Sequence, residues 1–273
     1  MARNVTGLPR IAGAARSSSR QSAPNGSSAT IAVYSAKGGV GKTTLAANLA
    51  WCSAAVSGRR TLLWDLDAAG GSGFLCGVEP RKSRHAGDVF SREREPEKLI
   101  RKSAFPSLDV LPADESIRAL DSTLMEIGKR KRLARLAARL ATDYERIVLD
   151  CPPVINEISA QVVRAADLVI VPLPPSPLSR RAFDLVVQEI SANRKGHPPI
   201  LPVLSMLDAR RTLHQQARAE HPDWPVIPYA SAMEQCAVRQ QPVGAFAPGS
   251  SAAACFARLW QAVERKLSQH RSK

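Results

Sequence analysis

The chain has 273 residues, room for one α/β core with an appendage, and its 44% hydrophobic content includes no apolar run long enough to cross a bilayer as a helix. Lys and Arg number 38 against 24 Asp and Glu, a formal net charge of +14. That excess is large for an enzyme of small soluble substrates and points to a polyanion, nucleic acid or an anionic lipid surface, as partner. Five cysteines (Cys52, Cys76, Cys151, Cys236, Cys255) stand at irregular spacings without a C-x-x-C pair, which argues against a disulfide framework or a zinc site.

Residues 1–28 are rich in Ser, Ala, Gly and Pro, carry Arg3, Arg10, Arg16 and Arg20, and contain no acid. Such a stretch buries too little apolar surface to offset its ordering entropy, so a disordered basic tail is expected, followed by one domain over 29–273. The start lacks the apolar core of a secretory signal, so the cytoplasm is the expected compartment.

From Ala29 onward strands and helices alternate. Apolar runs predict strands at Thr30–Ser35, Thr61–Asp65, Leu108–Leu111, Arg146–Asp150, Leu168–Leu173, Ile200–Met206 and Val226–Ile227. Helical periodicity covers Thr44–Ser57, Ser116–Thr142, Ile158–Ala165, Ser179–Asn193, His214–Ala219 and Ser251–Gln269. The pattern predicts an α/β fold, a mostly parallel twisted sheet with helices on both faces. Pro80–Lys102 is charge-rich and reads as surface, with a helix around Glu95–Lys102. The helix over Ser116–Thr142 carries Lys129, Arg130, Lys131, Arg132, Arg135 and Arg139 on a basic face, with Leu133, Leu136 and Leu140 turned inward.

Between the first strand and the first helix stands Lys37-Gly38-Gly39-Val40-Gly41-Lys42-Thr43-Thr44. Strand, glycine-rich turn and helix is the setting of a phosphate-binding loop. Backbone N–H groups converge on the phosphate and the helix N-terminus adds partial positive charge. Lys42 would reach the β- and γ-phosphates and Thr43 would offer its hydroxyl to Mg²⁺. Ala36 stands where the general loop has its first glycine, and a second lysine, Lys37, opens the run. Hydrolysis also needs carboxylates at strand ends facing the loop. Asp65 and Asp67 close one strand and Asp150 closes another, and Asp150 suits a Mg²⁺-holding acid.

Lys37 through Thr44 resembles the deviant Walker A motif of the ParA family, within the ParA/MinD superfamily of P-loop ATPases. Asp65-Leu66-Asp67 resembles the family's next motif, Asp150-Cys151-Pro152-Pro153 its Walker B, and Leu204-Ser205-Met206-Leu207-Asp208 the stretch that follows. The resemblance runs from about Ala29 to Lys266. It implies ATP and Mg²⁺ as cofactors, with Thr43, Asp65 and Asp150 at the metal, Asp67 positioning the attacking water, and Pro228 near the adenine. Lys37 would contact the nucleotide across an ATP-sandwiched homodimer.

The implied function is a partitioning or positioning ATPase of the short type, without a preceding specific-DNA-binding domain. It would bind non-specific DNA over the nucleoid in its ATP state and release it when a ParB-like or cargo adaptor protein stimulates slow hydrolysis. Candidate DNA contacts are Arg180, Arg181, Arg210, Arg211, Arg239, Arg258, Arg265 and Lys266. Two alternatives stand beside this. One is a MinD-like membrane switch, which would use Phe256, Leu259, Trp260, Val263 and Leu267 as an inserting stripe; the bland reading of that stripe, a helix docked on the domain, is preferred and membrane binding is not expected. The other is an ATP-binding regulator with weak turnover. It is motivated by Asp67-Ala68-Ala69-Gly70-Gly71, where the family usually has Asp-Pro-Gln-Gly-Asn.

Overall fold

In the computed structural model the described residues are 28–81, 85–91, 95–127, 131–193 and 197–271. The expected tail, apart from Ser28, lies outside them, as do Lys82, Arg84, Arg92, Arg94, Lys129 and Arg130. The strands are β1 (Ala29–Val33), β2 (Thr61–Asp65), β3 (Arg101–Lys102), β4 (Leu108–Leu111), β5 (Arg146–Asp150), β6 (Leu168–Leu173), β7 (Ile200–Leu207) and β8 (Val226–Pro228). They form one sheet in the order β3-β4-β2-β5-β1-β6-β7-β8, parallel except for the edge pair β3–β4. Every residue of β1, β2, β4, β5 and β6 is buried, as a sheet covered on both faces requires.

Alternation along β1 divides the core. Ile31 and Val33 face a cluster with α1 (Lys42–Ala55), α2 (Gly71–Leu75), α9 (Ser231–Arg239), α10 (Val243–Phe246) and α11 (Ser251–Arg271). Ala32 and Tyr34 face a second cluster with α3 (Asp88–Ser91), α4 (Leu120–Ile127), α5 (Arg132–Leu140), α6 (Glu157–Ala165) and α7 (Pro177–Asn193); α8 spans Thr212–Glu220. The chain leaves β1 toward one edge to make β2 and later crosses β1 to make β6. The carboxyl ends of β1, β2 and β5 therefore border the crevice where open α/β sheets take ligands.

The helix expected over Ser116–Thr142 is three pieces: a 3-10 turn at Glu115–Ala119, then α4, then α5. Lys131 precedes α5 with φ −129° and ψ 24°, outside the helical region, and the buried amide of Gln161 accepts the Leu133 N–H in the new first turn. Leu133, Leu136 and Leu140 are buried as expected. Around Glu95–Lys102 there is a short 3-10 turn, Pro96–Lys98, and the edge strand β3, not a helix. The helices α2, α3 and α10, of four or five residues, are too short for a periodicity to be read, and α9 (Ser231–Arg239) is a further helix that was not expected.

The final helix is docked. Phe256, Leu259, Trp260, Val263 and Leu267 are each at most 4% exposed and pack into the α1 side of the core. Its polar side is tied down as well. Glu264 accepts from Arg146 at 2.7 and 2.9 Å and from Arg59 at 2.9 Å, and the Trp260 indole donates to Ser57 Oγ at 2.7 Å. No described helix is long and apolar enough to cross a membrane.

Candidate active site

The loop from Val33 to Lys42 needs positive φ at Gly39 (70°) and Gly41 (90°), conformations a side chain would strain. Gly41 precedes α1 without a side-chain cap, and the first turn holds no acid, so no residue of the helix itself offsets the partial positive charge of its N-terminus. A Cβ built on Gly38 or Gly39 meets no atom within 4 Å, so the loop bounds open space. Lys42 Nζ arches back to donate to Lys37 O at 3.2 Å. Burial lowers its pKa, against the pull of Asp150 and Asp67. Lys37 Nζ donates to Ser179 Oγ at 3.2 Å, in the first turn of α7.

Asp65 and Asp150 end adjacent strands in register. Asp65 is 1% exposed, and its oxygens accept the N–H groups of Asp67 (3.0 Å), Ser72 (3.0 Å) and Gly73 (3.3 Å). It holds the turn into α2. Burial still pushes its pKa up to about 6 against those bonds. Asp150 is fully buried, and its carboxylate has no backbone N–H partner, only the Thr43 hydroxyl beside it. Burial and then Asp65 hold its pKa well above the ordinary carboxylate value, while the nearby Thr43 hydroxyl and Lys42 pull it down. Asp67 is half-buried at the mouth, and its Oδ1 accepts the Ala69 N–H at 3.1 Å.

Among the described residues no group of three or more His, Cys, Asp or Glu could hold a metal. Mg²⁺, however, keeps several waters and takes other oxygens from phosphates, so it needs only one or two protein oxygens. A buried carboxylate with no backbone partner, beside a threonine hydroxyl at the base of a phosphate loop, fits that requirement.

A family model described as an AAA domain matches residues 28–200. The chromosome partitioning protein ParA of Caulobacter vibrioides is 33% identical over 194 residues, 68% of this chain and 72% of that protein. The ParA of Myxococcus xanthus is 31% identical over 198 residues, 70% of this chain and 69% of that one. The chain belongs to the ParA family of the ParA/MinD superfamily. Cobyrinic acid a,c-diamide synthase from Mycobacterium smegmatis, solved with an ATP analogue and magnesium bound, superposes with a TM-score of 0.75 at 26% identity, covering 87% of this chain and 94% of that one.

In this ParA-family chain Lys37 through Thr44, Asp65, Asp67 and Asp150 gather at one end of the sheet. Pro228 lies farther off, at the end of β8. The end of β7 bridges the gap: Ser205 Oγ donates to Val40 O at 3.0 Å, and a Cβ on Gly41 would lie 3.4 Å from Met206 Cε. Leu207 O accepts the Tyr229 N–H at 2.9 Å beside Pro228. Ser179 and Ser205 escaped the sequence reading as site residues. Ser205 lay inside a stretch read for resemblance, whereas nothing local marks Ser179.

The candidate DNA contacts of a ParA-type surface do not form one patch. Arg180 and Arg181 sit on α7, on one face of the sheet, and Arg258, Arg265 and Lys266 on α11, on the other. Arg210 is engaged bidentately by Asp208 at 2.9 and 3.0 Å, and Arg239 lies 5.1 Å over the Phe246 ring.

Proposed function

We propose that this chain is a partitioning or positioning ATPase that closes into a homodimer around Mg·ATP and, in that state, holds DNA without sequence preference. The observation that carries the reading is Asp150, since a fully buried carboxylate with no backbone amide to satisfy it, only the Thr43 hydroxyl beside it, costs stability unless a cation completes it. Asp150 and Thr43 would hold Mg²⁺, directly or through water. The amides of residues 38–44 and the Lys42 ammonium would cradle the β- and γ-phosphates. Mg²⁺, when bound, neutralises charge on those phosphate oxygens. Asp65 stands behind Asp150, fixing the turn that carries Asp67, and Asp67 orients the attacking water. Pro228 borders the adenine.

Lys37 rests on Ser179 of its own chain. In the dimer it exchanges that neutral contact for the nucleotide of the second copy, a charge-assisted one. Leu178 (68% exposed), next to Ser179, and Ile155 (49%), in the loop after Asp150, are apolar surface that a second copy would cover. The charge of +14 supports DNA as the polyanion, with Lys/Arg–phosphate contacts and hence a strong salt dependence. Such a protein works in the cytoplasm over the nucleoid, and a ParB-like or cargo adaptor protein would trigger turnover.

The test is binding to random-sequence duplex DNA and to anionic liposomes, each with ATP, ADP or neither, over a salt series. ATP-dependent, salt-sensitive DNA binding is expected. Binding to liposomes alone would overturn the reading in favour of a membrane switch, for which the buried stripe of α11 offers no free apolar face. Dimerisation with ATP but no phosphate release would identify the weak-turnover regulator, the outcome that the Ala68–Gly71 turn favours.

A further inference from the structure

Val40 stands between Gly39 (φ 70°) and Gly41 (φ 90°). It follows the end of β1 at Val33 and precedes the α1 ladder, which opens with Leu45 N–H donating to Gly41 O at 2.9 Å. The Val40 side chain is buried, which holds the residue but not the peptide that follows it. That peptide can turn about the bonds on either side, and with glycine at 41 no side chain there resists the turn. A direct contact reaches it from another element: the Ser205 hydroxyl, near the end of β7, donates to Val40 O at 3.0 Å. The next residue, Met206, has φ 52°, at the place where the pairing of β7 with β8 shifts register between Leu204 and Leu207. A methionine in the left-handed region is strained, and its surroundings must offset that strain. Its Cε lies against the loop, 3.4 Å from where a Cβ on Gly41 would be. Two consecutive residues of the strand end thus meet two consecutive residues of the loop.

The peptide between Val40 and Gly41 is trans, so its two polar atoms point opposite ways. With the Val40 C=O turned to β7, the Gly41 N–H is turned away from it, and no described residue accepts that N–H. The neighbouring part of the loop, at Gly38 and Gly39, bounds open space. Ser205 is 4% exposed, and alanine would fit its place, so packing alone does not call for a hydroxyl there. We infer that Ser205 is a positioning residue: by holding the Val40 C=O it points the Gly41 N–H at the phosphate chain of a bound nucleotide and so sets the affinity for polyphosphate. The inference rests on the reading of residues 38–44 as a phosphate cradle.

The test titrates the full chain and its variants with ADP and with inorganic pyrophosphate, which has neither base nor ribose, both in magnesium chloride. Ser205→Ala is expected to weaken both by roughly 10-fold, the scale of one lost hydrogen bond to a charged group. Ser205→Thr keeps the hydroxyl and is expected to bind both within about 2-fold of the parent. Glu264→Gln, which loses stability far from the loop, is expected to bind as the parent does, and this separates lost stability from lost positioning. Parental ADP affinity in Ser205→Ala overturns the proposal. So does a fall in Ser205→Thr as deep as in Ser205→Ala, which would put the effect in packing, or a loss for ADP that spares pyrophosphate, which would put it at the base. A parent that binds neither ligand would overturn the phosphate reading itself and the positioning role with it.

Discussion

Asp65 and Asp150 face each other across adjacent strands at the same register, yet only Asp65 has its oxygens taken up by backbone amides. The two should therefore respond oppositely to loss of charge. Asp150→Asn removes a buried carboxylate that no backbone amide satisfies and should leave thermal stability equal or higher, while magnesium-dependent nucleotide binding falls by at least about 10-fold. Asp65→Ala strips the acceptor from three N–H groups and should cost about 1–3 kcal/mol in denaturant unfolding. A loss of stability in Asp150→Asn as large as that in Asp65→Ala would show that Asp150 holds the fold instead of a ligand.

The same pair sets a pH dependence. Burial raises the folded pKa of Asp65 from 3.8 to about 6 and that of Asp150 well above 3.8. For a carboxyl whose folded value is raised, the folded state binds its proton more tightly. The stabilising contribution is full below the unfolded value and is lost as pH rises through the folded one. Glu264 runs the other way: burial opposes its charge, but Arg146 and Arg59 win and hold its pKa low. Comparing Asp150→Asn with the parent cancels that term. Without magnesium, the Tm of the variant relative to the parent should climb as pH rises above the unfolded value near 3.8 and through the raised folded one, and a constant difference would contradict the assignment.

How far this was readable from sequence depended on the range of the signal. The strand β2, Thr61–Asp65, was legible to the residue, because a buried parallel strand is written locally as a continuous apolar run. Lys37 through Thr44 was equally local. The different fates of Asp65 and Asp150 were not, because they depend on where the Ser72 and Gly73 amides fall after the turn. Nor was Ser179, which meets Lys37 only because β6 lies next to β1 and delivers the start of α7 beside the loop. The break at Lys131 depends on Gln161, a partner on another helix. Periodicity reports which face a helix buries, not which polar groups wait there.

Glycines in the site should separate binding from folding. Gly38 lies outside the left-handed region, and a Cβ there meets nothing within 4 Å. Gly38→Ala should therefore fold with parental stability while weakening nucleotide binding, because the methyl occupies the phosphate's space. A Cβ on Gly71 would lie 2.9 Å from Thr43 Cγ2. Gly71→Ala should displace the threonine and raise the magnesium requirement, with binding in EDTA little changed. Isothermal titration of ADP with and without magnesium reads both. Parental binding by Gly38→Ala would mean that the phosphate does not approach this loop.

Far from the site, the ion cluster at the other end of β5 should carry stability and not activity. Arg146 is 4% exposed, and both its Nε and Nη2 donate to Glu264 on α11. Glu264→Ala leaves that guanidinium buried without its carboxylate and should cost about 3–5 kcal/mol, the scale for breaking a buried pair from one side. Glu264→Gln, which retains an acceptor, should cost less. Because Glu264 also holds Arg59, and α11 packs on α1, the loss should appear as lowered cooperative unfolding of the whole domain and not as fraying of one helix. Urea unfolding followed by tryptophan fluorescence and by circular dichroism checks this. Coincident transitions at a lower midpoint are expected, with nucleotide affinity in native buffer unchanged. A separate early transition in the circular dichroism would instead make α11 an independently detaching element.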